Sequence, residues 1–241
     1  RRLADRFGDA AWIAWYDAER LYEHYWRGAW DDALELAEQI VSAGEPAPAS
    51  VEFDAALVRS WIALARGKGD DALASVRRAH ALAQEAPDPQ NLLPALASLA
   101  RATSELLGDE EAAGYVEELL EGFSERPSPP GYWVFDLAVA ADRLGRGEAV
   151  FDAVRRAAPS TRWLEAAHAI VRGEPWQAAD LFGAIGAQPE EAYCRLIAAA
   201  REDGSEPRRD GVGSALAFYR RVGATSYAQE AESLLAARRP G

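Results

Sequence analysis

Six alanines, Ala33, Ala72, Ala112, Ala149, Ala178 and Ala215, each open a helical run just after a turn-prone dipeptide or a short polar loop. The steps between them are 39, 40, 37, 29 and 37 residues. A period of a few tens of residues builds an array of stacked helix pairs, because one pair cannot bury its apolar face alone. Apolar residues recur at spacings of three and four along the whole chain, and period-two alternation is absent. The expected fold is all-α.

Turn residues divide the chain into helix pairs. The first pair covers about 10–27 and 30–42 around Gly28, with Pro46 and Pro48 beyond it; the second covers 50–66 and 70–85 around Gly67-Lys68-Gly69, closed by Pro87 and Pro89. Glycine follows a helix end in the left-handed conformation, and proline cannot extend a preceding helix. The third pair, 90–107 and 109–123, turns at Gly108-Asp109, with Asp109 placed as a helix cap. Arg126-Pro127-Ser128-Pro129-Pro130-Gly131 is the most proline-dense stretch. It reads as a break at 127–131 between a first part, 1–126, and a second, 132–241. The fourth pair, 132–144 and 148–158, turns at Gly145-Arg146-Gly147, and the fifth, 161–172 and 175–185, at Gly173. A polar loop through Gly213 then precedes a helix from about Ser214, and a last helix over 226–237 caps the stack.

Composition narrows the function classes. The 241 residues are 49% hydrophobic and 27% charged, with a formal net charge of −13 and one cysteine, Cys194. That charge repels phosphate backbones, and Arg208-Arg209 and Arg238-Arg239 are too short to form a basic stripe, so direct nucleic acid binding is not expected. No apolar run reaches the roughly 18 residues of a membrane span, and Arg1 to Asp5 lacks the apolar core of a signal peptide. A single cysteine forms no internal disulfide. A soluble, cytoplasmic protein without membrane contact is expected. The lack of methionine and the arginine at position 1 read as a segment of a longer polypeptide, and Lys68 as the only lysine among many arginines fits a GC-rich bacterial genome.

No residue set looks catalytic. His24, His80 and His168 are far apart in sequence and lack metal-ligand spacing, so no metal is expected. Cys194, beside Arg195, reads as a small buried apolar group rather than a nucleophile. Gly67-Lys68-Gly69 lacks the flanking residues of a phosphate-binding loop. The pairs Asp31-Asp32, Asp70-Asp71 and Glu110-Glu111 sit in the first turns of second helices, where carboxylates oppose the helix dipole. No nucleophile elbow occurs. Neither an enzyme nor a cofactor is expected.

On the alanine register the units resemble the tetratricopeptide repeat family, whose turn reads Gly, any residue, aromatic, acidic, any residue, Ala. Gly28-Ala29-Trp30-Asp31-Asp32-Ala33 matches throughout, and Gly67-Lys68-Gly69-Asp70-Asp71-Ala72 lacks only the aromatic. Gly173, Ala178 and Phe182 keep their places, and Ser60, Ala100 and Ala166 supply small residues twelve before a register alanine. The family's tryptophan and tyrosine positions on the first helix are not kept. The resemblance implies an α-solenoid of about six antiparallel helix pairs in a right-handed superhelix with a C-terminal capping helix. The tail from Ala215 to Ala224, with Tyr227 and Glu230-Ala231-Glu232, is similar to the end of the repeat region in large bacterial regulators. Those carry a nucleotide cyclase or LuxR-type DNA-binding domain and a signal-transduction ATPase ahead of the repeats. That similarity implies a sensor and regulatory arm.

The strongest candidate site is the aromatic cluster of the first pair. Spacings of three, four and seven set Trp12, Trp15, Glu19, Tyr22 and Trp26 near one helix face, with Tyr16 and Tyr25 toward its flanks and Trp30 beyond. One stripe cannot bury them all. Part of the set packs between helices, and part is left to grip a peptide, a neighbouring domain of the same polypeptide or a small effector. Trp12, Trp15, Tyr16, Glu19, Tyr22 and Trp26 are the expected contacts, on a concave face formed by first helices. The acidic surface favours basic, arginine-rich partners. Trp133, Trp163 and Trp176 read as wedges between repeats.

Overall fold

The computed structural model describes residues 10–42, 48–85, 88–201 and 206–236. Among them are thirteen helices and no strand. In chain order these are α1 (Ala10–Trp26), α2 (Trp30–Ser42), α3 (Ala49–Ala65), α4 (Gly69–Glu85), α5 (Pro89–Leu106), α6 (Asp109–Glu125) and α7 (Trp133–Arg143). They continue as α8 (Gly147–Ala157), α9 (Arg162–Val171), α10 (Pro175–Ile185), α11 (Gln188–Arg201), α12 (Glu206–Val222) and α13 (Thr225–Ala236). Pro46, Pro87 and Arg238-Arg239 lie outside the described residues.

Six turns repeat one hydrogen-bonding pattern. Gly28, Gly67, Gly145, Gly173, Gly186 and Gly223 have φ between 65° and 89°, and the residue after each donates its N–H to the carbonyl five residues back. This is the reversal that satisfies the last carbonyls of a helix while the chain turns. Gly28 meets a second demand: a Cβ there would lie 2.9 Å from both Phe218 and Arg221 of α12. Behind the turns, Ala33, Ala72, Ala112 and Ala178 are fully buried, and so are Ala37, Val76, Val116 and Phe182 four residues on.

Three expectations shift. In the fourth unit the buried register position is Val150, five residues after Gly145, and Ala149 is exposed. The small residue twelve before Val150 is then Ala138, fully buried. Asp109 is the first helical residue of α6, and Gly108 caps it. The loop expected through Gly213 is helical from Glu206, and Ala215 falls inside α12. That helix approaches α10 so closely that a Cβ on Gly211 would come within 2.4 Å of the Trp176 ring.

Helices adjacent in sequence pack as neighbours, and α1, α3, α5, α7 and α9 also pack on one another in a row. The middle of that row is buried around its circumference: every residue from Leu93 to Ser104 and from Trp133 to Ala141 is buried. The reason is closure. α11 touches α1 and α13, and α13 touches α3. Arg66 donates to the carbonyl of Val222 at 2.9 Å and to Asp31 at 2.7 Å, and Thr225 donates to the carbonyl of Arg66 at 2.8 Å. Arg221 reaches the carbonyl of Gly28 at 3.3 Å. The final helix therefore packs on α3 and α11 as well as on α12.

A polar cluster sits where those faces meet. Asp136 on α7 accepts hydrogen bonds from Arg101 at 2.8 Å, Ser98 at 2.5 Å and Trp61 at 2.9 Å. Arg101 also donates to Glu105 at 3.0 Å and to the Tyr227 hydroxyl at 3.0 Å, and Tyr227 donates to the second Glu105 oxygen. The guanidinium lies 4.9 Å from the Phe135 ring centre and 4.8 Å from that of Tyr193. A buried ion pair holds only when further hydrogen bonds saturate both charges, and here α3, α5, α7 and α13 supply them.

Candidate functional site

α1 divides its aromatic residues between two environments. At its start Trp12, Trp15 and Tyr16 are 55%, 48% and 39% exposed, with ring centres 5.3–6.4 Å apart. At its end Tyr22 and Tyr25 are buried and Trp26 half-buried, and Trp30 beyond the turn is buried too. Tyr25 stacks on Trp30 at 5.7 Å and meets Trp61 of α3 at 5.0 Å; Tyr22 stacks on Trp26 at 5.5 Å. Burial of this size is worth several kcal/mol per ring, so the inner half of the helix is pinned as core.

Between the two halves lies a cleft of about 570 Å³. One side is the α1 stripe Trp15, Glu19, Tyr22 and Trp26, whose spacing of four, three and four keeps them on one face. The other is built from the first turns of α3 and α5 and the approach to α7, including Asp54, Pro94, Tyr132 and Trp133. The approach is fixed in place by Thr161, which caps α9 by accepting from Leu164 N–H and donates its hydroxyl to the Pro130 carbonyl at 2.8 Å. Pro94 has no N–H to give the carbonyl of Gln90 one turn back, and both residues line the cleft. Of the six expected contacts, four line the cleft; Trp12 and Tyr16 lie beside it, packed on Trp15.

At the floor, Tyr22 donates its hydroxyl to Asp54 at 2.5 Å, and the Tyr132 hydroxyl lies 3.2 Å from that of Tyr22. With Tyr22 committed to the carboxylate, Tyr132 is the donor between the two hydroxyls. Burial raises both phenols well above their ordinary range, so they stay protonated. Burial also pushes the Asp54 carboxyl up to about 7, with the Tyr22 hydrogen bond opposing and the Glu19 charge reinforcing the rise. Desolvation disfavours the charged form, and one neutral hydrogen bond offsets only part of that. Behind the Trp26 ring, its indole N–H donates to Glu190 at 3.3 Å. The second oxygen of Glu190 is buried without a partner, and burial pushes this carboxyl to about 7 as well.

The other singled-out residues sit elsewhere. Cys194 is fully buried, and burial raises its thiol well above the usual range. The His168 ring stacks on Phe151 at 5.9 Å, and burial lowers His80. No three potential metal ligands cluster among the described residues. Trp133 packs on Phe123 and Trp163 bridges Trp26 and Phe182, joining helices of different units. Asp31-Asp32, Asp70-Asp71 and Glu110-Glu111 occupy first turns of α2, α4 and α6. No helix among the described residues is long and apolar enough to cross a membrane.

Sequence reasoning found the α1 side of the cleft but missed Asp54, Tyr132 and Pro94. Two signals pointed to them: a proline inside an otherwise regular helix, and a tyrosine directly after the Pro127–Gly131 stretch. No known family, curated protein or solved structure matches the chain.

Proposed function

We propose that the chain is a non-catalytic binding module of tetratricopeptide-like helix pairs, wound so tightly that its own last helices fill the inner face and leave recognition to the cleft beside α1. The partner is a basic peptide segment, on a separate protein or on a neighbouring domain of the same polypeptide. The observation that carries this reading is the lining of the cleft. Among the described residues it combines the rings of Trp15, Tyr22, Trp26, Tyr132 and Trp133 with the carboxyls of Glu19 and Asp54, and includes no lysine, arginine or histidine. Rigid aromatic anchors in a concave site are where binding energy concentrates. The net charge of −13 attracts a basic segment from a distance and rejects acidic ones.

In a larger bacterial signalling protein with a cyclase or DNA-binding output, such a module acts as a regulatory arm. The partner shifts an off state only by binding one arrangement better than the other. The closing contacts of α11 and α13 on α1 and α3 are where two arrangements would differ. The test is calorimetric titration of the chain with basic, neutral and acidic octapeptides of matched length. Binding of basic peptides that is lost in Trp15→Ala and Glu19→Gln supports the module. A chain that binds none of them is a structural spacer.

A further inference from the structure

Resting on the binding role proposed above, the cleft sets rings beside acceptors. Its most exposed ring is Trp15, the Glu19 carboxyl and the Gln90 and Asn91 amides line it, and the Asp54–Tyr22–Tyr132 chain joins its two sides. We infer that the cleft takes one arginine side chain of the partner, its guanidinium stacked on the aromatic walls and directed toward Asp54, with Glu19 at the entrance.

Three features support arginine over other cargo. A guanidinium is planar, weakly hydrated and stacks on aromatic faces while donating in its own plane, so it uses ring and carboxylate together. Asp54 offers acceptor capacity for this: among the described residues only Tyr22 donates to it, whereas Asp136 in the buried centre takes three donors. Gln90 and Asn91 of α5, which also line the cleft, carry side-chain amide oxygens that can accept. Among the described residues an anion would meet two carboxyls and no basic side chain, and the N-terminus of α5 is already capped by the Asp88 carboxylate.

Guest and proton then compete. The ionisable groups facing Asp54 are Glu19 and Tyr22 from α1 and Tyr132 from the approach to α7; α5 offers the uncharged Gln90 and Asn91. Both phenols stay protonated, so Asp54 is the group that changes state near neutral pH. A carboxyl titrating at about 7 is roughly one-tenth ionised at pH 6 and nine-tenths at pH 8. If the guanidinium binds the ionised form, affinity rises about tenfold over those two pH units, and binding at pH 7 releases about half a proton per guest.

The experiment is calorimetry of the chain with N-acetylarginine methylamide, its uncharged isostere N-acetylcitrulline methylamide, and inorganic phosphate, at pH 6, 7 and 8. An arginine-containing octapeptide serves as a parallel arm. The expected result is binding of the arginine probe, about tenfold tighter at pH 8 than at pH 6, with the citrulline probe at least tenfold weaker. Asp54→Asn, with retention of fold checked by circular dichroism, should remove the pH dependence and weaken the arginine probe at pH 8 about tenfold. Equal binding of arginine and citrulline, binding of phosphate, or a pH-independent arginine affinity overturns the inference. Should the octapeptide bind through Trp15 and Glu19 while the arginine probe does not, the arginine assignment fails alone. Should no peptide bind, the binding role fails with it.

Discussion

Two polar clusters lie inside this all-helical chain, and they are built on opposite principles. At the centre, Arg101 and Asp136 are taken out of water together, and Ser98, Trp61, Glu105 and Tyr227 meet the bonds that remain. In the cleft, Asp54 is taken out of water with one phenol for company and solvent within reach. The first arrangement stabilises a specific packing of helices that are distant in sequence. The second leaves an acceptor whose proton or counter-charge must come from outside the fold. Saturation, not burial, separates the buried polar groups that belong to architecture from those available to a partner.

The largest effect is expected at Arg101. Replacing it as Arg101→Met strands the Asp136 carboxylate in the core, and urea denaturation should show a loss of about 3–5 kcal/mol. Arg101→Met combined with Asp136→Leu should recover most of it, because removing both charges removes the stranded one. If the single variant costs under about 1 kcal/mol, the centre is not the clamp described.

Next is the pH behaviour of the cleft. A carboxyl raised from 3.8 to about 7 on folding makes the folded state the better proton binder between those values. Stability from this group is full below the unfolded value and is lost as pH rises toward 7. Asp54→Asn mimics the neutral form at every pH. It should match the parent near pH 4 and exceed it by about 2–4 kcal/mol at pH 8, read from denaturation midpoints at both pH values. An unchanged difference between the two pH values would return Asp54 to an ordinary, solvated carboxylate.

Gly211→Ala sharpens the account of closure, since the added methyl meets the Trp176 ring where α12 crosses α10; a loss of about 1–3 kcal/mol is expected in thermal unfolding. The smallest effect belongs to Trp15→Ala. Its ring is half exposed, so stability should move by under about 1 kcal/mol while basic-peptide binding is lost. A large destabilisation would make Trp15 core, not contact.

Much of the architecture was written in local pattern. Ala33, Ala72, Ala112 and Ala178 are buried because the turn before each sets the register of the helix it opens. The fourth unit misleads because Ala149 and Val150 both follow a glycine-rich turn. Gly145 is the residue with φ of 65°, and Gly147 is already helical and pressed against Val171. That choice is tertiary. The closure by α11 and α13 depends on contacts such as Arg101 with Tyr227, 126 residues apart, which no local period encodes. A lone arginine within the apolar run from Leu92 to Ala102 was its one visible sign. The cleft is half legible for the same reason: its α1 stripe is local, whereas Tyr22 meets Asp54 and Tyr132 across 32 and 110 residues.

The most direct test of the contrast between a saturated centre and an open cleft is the titration of Asp54 itself, followed by carbon NMR of its side-chain carboxyl with and without N-acetylarginine methylamide. The account predicts a midpoint near 7 in the free chain, falling by about a unit or more when the arginine probe is bound. A midpoint near the ordinary value of about 4 that does not move with the probe would contradict it.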